Sequence, residues 1–152
     1  MLKRLHLTAA TAGFLTILTF WISTVLAELS GSYSLITTVK QTIPWGFLIL
    51  VPALAITGAT GFSAAGSSSE PRIRAKRHRM PFIAGNGLLI LIPAALFLDR
   101  LASRREFGAL FYAVQTLELI AGAVNLTLMS LNARDGLRLT GRLMSTETKA
   151  QS

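Results

Sequence analysis

A chain of 152 residues that is 51% hydrophobic and only 14% charged, with a mean hydropathy of +0.53, is too apolar for an ordinary soluble domain. It contains no cysteine, which excludes disulfides, thiolate metal sites, iron–sulfur clusters and thiol catalysis. Its net charge of +8 sits mostly in segments flanking apolar runs, so it reads as membrane topology rather than nucleic-acid binding.

The first apolar run covers 5–27, preceded by Lys3 and Arg4. A basic start and the small residues before Glu28 also fit a secretory signal peptide, but the run exceeds the usual core of roughly 7–15 residues. A retained membrane helix is the expectation. Thr8, Ala12, Thr16, Thr19 and Ser23 would form a small-residue face for a neighbouring helix. Glu28 to Thr42, which contains Lys40, reads as a polar connection. The second span is expected over 43–65, with Pro44 in its first turn and Pro52 kinking its interior.

Residues 66–79 form the most hydrophilic connection, a basic loop carrying Arg72, Arg74, Lys76, Arg77 and Arg79. Anionic lipid headgroups are its expected partner. The third span covers 80–98 and contains Asn86 and Pro93. A short charged turn leads to the fourth span over 107–131. Residues 133–152 read as a basic tail whose helix breaks at Asp135-Gly136.

The expected fold is therefore an all-α membrane protein, a four-transmembrane-helix antiparallel bundle in a single domain over 1–132. Orientation follows from lysine and arginine placement. Lys3, Arg4, the basic loop and the tail fall on one side, against Lys40, Arg100, Arg104 and Arg105 on the other, so both termini should be cytoplasmic. Trp21, Tyr33, Trp45, Phe97, Phe107 and Tyr112 would form an aromatic belt at the outer face.

The fourth span carries the sharpest signal. Gln115, Glu118, Gly122, Asn125 and Met129 follow at helical spacing on one face. A carboxylate at the centre of a membrane helix costs about 3 kcal/mol on insertion scales, so Glu118 should face protein or water. No Lys, Arg or His is expected at its depth, which leaves a protonated carboxyl. Counted from the cytoplasmic ends at about 1.5 Å per residue, Asn125, Asn86, Thr60 and Thr11 fall at nearly one level and should hydrogen-bond across helices. The expected intramembrane polar site is thus Glu118, Gln115, Asn125, Asn86 and Thr60.

Two weaker patterns complete the reading. Gly46 to Ala53 matches Gly87 to Ala94 in Gly, Leu, Ile, Pro and Ala, which suggests an internal repeat, although a chance match in so small an alphabet is the plainer reading. His6 is a candidate haem b ligand, with Ala10 and Gly13 beside it and His78 or Met80 on the same side of the membrane; headgroup snorkelling and a solvated loop histidine are the plainer readings.

The segments MPFIAGNGLLILIPAALFL and FYAVQTLELIAGAVNLTLMSLNARDGLRL resemble a group of short, uncharacterised four-span proteins from bacteria. That resemblance implies a bacterial inner membrane and no activity. The architecture is also similar to four-span b-type cytochromes, which generally show more membrane histidines. Small multidrug-resistance exporters are alike in architecture too, but carry their essential glutamate in the first span. The expected function is a non-enzymatic scaffold or accessory subunit, in a homo-oligomer or larger complex. The alternatives are an oligomeric proton- or ion-coupled transporter using Glu118 and a haem b electron carrier using His6.

Overall fold

The structure is a computed structural model that describes residues 1–65 and 71–150; the side chains of Lys3, 62–65, 71–77 and 139–150 fall outside that description. The described chain is helical apart from residue 1 and two short links at 31–32 and 104–108. Helix α1 spans Leu2–Ser30 and α2 spans Tyr33–Ala65. Helix α3, Pro71–Asn86, passes through a π-helical turn at Gly87–Leu91 into α4, Ile92–Ser103. Helix α5 runs from Ala109 to Ala150. Among the described residues four helices are long and apolar enough to cross a membrane: Arg4–Ser30, Tyr33–Gly61, His78–Ser103 and Ala109–Arg138.

The second span begins ten residues earlier than hydropathy suggests, because Glu28 to Thr42 is not a connection. Gly31 takes a left-handed conformation (φ 65°) and its N–H donates to the Glu28 carbonyl, closing α1. Ser32 then opens α2, its hydroxyl accepting from the Leu35 N–H at 3.4 Å. The hydroxyls that make this stretch look hydrophilic are spent inside the helix. Thr37, Thr38 and Thr42 donate to the carbonyls of Tyr33, Ser34 and Thr38 at 2.8, 3.0 and 2.7 Å. Pro44 therefore lies in the helix interior rather than in its first turn, and α2 continues through both Pro44 and Pro52.

The basic segment also differs from a loop, because α3 already covers Pro71 to Arg79. Nor does the chain break at Asp135-Gly136: α5 passes through it, and Asp135 accepts from Arg79 Nη1 at 2.8 Å. The two halves of the suggested repeat adopt different backbones, α-helical at Gly46–Ala53 and π-helical at Gly87–Leu91. At Gly87–Leu91 the ladder widens by one residue, the Ile92 N–H donating to the Gly87 carbonyl just before Pro93, which has no N–H.

Helix α1 packs most extensively on α2. Its buried face runs through Ala9, Gly13, Ile17, Thr24 and Ala27, not through Thr8 and Thr19, which are exposed. Gly13 meets Leu54 and Ala53, and Gly46 sits under the Phe20 ring. An apolar cluster of Ala27, Ile36, Leu98, Leu101, Ala102 and Phe111 closes the end where α1 stops and α5 starts. The outward faces are apolar as well, with Leu15, Leu48, Leu89 and Ile120 more than half exposed, as a hydrocarbon solvent requires.

Candidate functional site

Just below that cluster lie the charged groups. Lys40 of α2 is 1% exposed, and its Nζ donates to Glu118 Oε2 in a close ion pair. It also donates to the Thr24 hydroxyl of α1 at 3.4 Å. Gln115, one turn before Glu118 on α5, donates from Nε2 to the same carboxylate oxygen at 3.2 Å. Glu28 of α1 lies within electrostatic range of both Lys40 and Glu118, and its Oε1 is buried without a hydrogen-bond partner. Three helices thus converge on two carboxylates and one ammonium.

This overturns the expectation that no cation lies at the depth of Glu118. Lys40 lies within the second apolar helix, Tyr33–Gly61, and its amine stands against the Glu118 carboxyl. Sequence reasoning missed Lys40 and Glu28 because both lie in the stretch taken for a connection. One signal was present: Thr24 and Glu28 share a helical face with Trp21, at steps of three and four.

The remaining polar residues divide into two sites. Asn86 Nδ2 donates to Asn125 Oδ1 at 3.0 Å and to the Ala121 carbonyl at 2.8 Å, while Asn125 Nδ2 donates to the Ile83 carbonyl at 3.4 Å. Asn125 is fully buried. Thr60 does not join this pair. Its hydroxyl donates to the Ile56 carbonyl at 2.6 Å and meets His6 Nδ1 at 2.8 Å. Thr11 is exposed. Trp21, expected in the outer belt, points inward: its Nε1 donates to the Leu119 carbonyl at 2.9 Å, and its ring covers Gly122.

His6 and Met80 both close on Gly61, where an added Cβ would meet the Met80 methyl at 2.2 Å and His6 Cε1 at 3.4 Å. That side of the imidazole is filled by helix α2. His78 is exposed. Among the described residues no group of three or more His, Asp or Glu is placed to hold a metal ion. The side chains of Arg72, Arg74, Lys76 and Arg77 lie outside the described residues. Arg79 turns towards α5, onto Asp135 and Asn132.

Beside the charged groups is an apolar chamber of about 490 Å³. Its walls come from α1 (Ile17, Phe20, Trp21, Thr24), α2 (Phe47, Leu50, Leu54, Gly58), the π turn (Gly87, Leu88, Leu91) and α5 (Glu118, Gly122, Asn125). No family model, curated protein or solved structure matches the chain. What the site does rests on its geometry. A chamber of this size is within the range of small-molecule sites, and its few polar groups are held by side chains from several helices.

Proposed function

We propose that this chain is a non-enzymatic, multi-pass protein of a bacterial inner membrane that acts as a scaffold or accessory subunit in a homo-oligomer or larger membrane complex. The observation that carries this reading is where the ionisable groups are. Lys40, Glu118, Gln115 and Thr24 bond to one another between α1, α2 and α5, while the outward faces are apolar. Such a centre specifies how the helices pack and leaves the membrane-facing surface to bind other helices or lipid.

The four spans are arranged antiparallel, with both termini in the cytoplasm. Moving Lys40 into the interior supports this orientation, because it leaves only Arg100, Arg104 and Arg105 on the outer side. The segment Arg72 to Arg79 contacts anionic headgroups at the cytoplasmic face.

Two measurements test these statements. The absence of native cysteine allows single cysteines to be placed at Ser32 and Ser103, outside, and at Arg138, inside. A membrane-impermeant maleimide added to intact cells should label the first two and spare the third; the reverse pattern overturns the orientation. In lipid nanodiscs of native-like composition, mass measurement should find species larger than the 16.4 kDa chain or a co-purifying partner. A lone monomer would overturn the assembly role.

A second reading, a small proton- or ion-coupled transporter, is favoured by the position of Glu118 on the chamber wall. It predicts a proteoliposome flux that Glu118→Gln abolishes. A flux unchanged by that substitution counts against it.

A further inference from the structure

Among the described residues, the two donors to the Glu118 carboxylate share one oxygen. Lys40 and Gln115 both donate to Oε2, while the side chain keeps 12% of its surface exposed and lines the chamber. Oε1 accepts from neither of these donors, and the carboxylate borders a largely apolar space. A carboxylate oxygen in such a space has strong reason to accept a hydrogen bond, and a charged donor satisfies it better than a neutral one.

Charge points to the same kind of donor. Glu28 and Glu118 place two carboxyl groups beside one amine, that of Lys40. The adjoining chamber wall is aromatic. Phe20 and Phe47 meet edge to face at 6.3 Å between centroids, and Trp21 stands next to them with its indole tied to Leu119. Aromatic faces attract cations, most strongly where water is excluded.

We propose that the chamber is a binding site for a lipophilic amine, a molecule with one protonated nitrogen and an apolar body of drug-like size. The nitrogen donates to Glu118 Oε1, and the body lies among Phe20, Phe47, Leu50 and Leu54. The site is complete within one chain, so it stands whether or not the protein assembles.

The experiment reads Trp21. The chain has two tryptophans, so Trp45→Phe leaves Trp21 as the sole reporter, on the chamber wall. The full-length protein in nanodiscs is titrated with diphenylpropylamine and, separately, with its neutral analogue diphenylpropanol; empty nanodiscs correct for partitioning. A saturable change in Trp21 emission is expected with the amine, and affinity weaker by about tenfold or more with the alcohol, the value of a charge-assisted hydrogen bond. Glu118→Gln should remove that difference. Should this variant fail to fold, Gly58→Leu decides in its place: a Cβ at Gly58 meets nothing within 4 Å, so the added side chain extends into the chamber without a clash at its root. It should abolish the response to both probes. Equal affinity for amine and alcohol would mean a purely apolar void of the kind a lipid chain fills, and would overturn the proposal. So would a response to the amine that survives Gly58→Leu, or no saturable response at all.

Discussion

Lys40 and Glu118, 78 residues apart in the chain, form an ion pair between α2 and α5 whose ammonium is 1% exposed. Removing one partner strands the other charge. Lys40→Met is expected to destabilise the fold by about 3–5 kcal/mol, and the double substitution Lys40→Met with Glu118→Leu to recover most of that loss. Thermal unfolding of the two variants in detergent measures this. A single variant as stable as the native protein would show that the pair contributes nothing.

The Asn86–Asn125 contact joins α3 to α5 at 3.0 Å with each amide also bonded to a backbone carbonyl. Interhelical bonds of this kind average about 0.6 kcal/mol and reach about 2 kcal/mol. Asn86→Ala and Asn125→Ala should each cost about 1 kcal/mol, and their effects should be less than additive because they share one interaction. Strict additivity in equilibrium unfolding would separate the two residues energetically.

Glycine does different work at Gly46 and Gly58. A Cβ at Gly46 would lie 2.2 Å from the Phe20 ring, so Gly46→Ala forces α1 and α2 apart or displaces the ring, at about 1–3 kcal/mol. A Cβ at Gly58 meets nothing within 4 Å, and Gly58→Ala gains helix propensity of up to about 1 kcal/mol. Opposite shifts in melting temperature are expected.

Arg105 occupies a left-handed conformation (φ 57°) where α4 ends, with its own N–H donating to the Ala102 carbonyl and the Glu106 N–H to that of Leu101. This is the position a helix C-terminus normally gives to glycine. Arg105→Gly relieves the steric cost and is expected to raise stability by up to about 1 kcal/mol, visible as a higher melting temperature.

Much of the architecture is legible in the sequence because bilayer thickness imposes a length and an apolar composition on each span. The runs around Leu5, Pro52, Pro93 and Glu118 declare four helices without any knowledge of their neighbours. The same reasoning places Glu118 in the interior, since a carboxylate facing lipid is too costly there. Boundaries are less visible. Thr37, Thr38 and Thr42 count as hydrophilic in a hydropathy window, but the helix absorbs their hydroxyls one turn back. Lys40 counts as a loop charge for the same reason.

The partner of Glu118 was decided only by tertiary structure. Composition shows that an intramembrane carboxylate needs a donor; it does not say which one. The two-residue link at Gly31–Ser32 starts α2 early enough to carry Lys40 down beside α5. The packing of α1 then brings Thr24 and Glu28 to the same centre. A hydropathy window averages over neighbours in the chain, whereas an ion pair depends on neighbours in space.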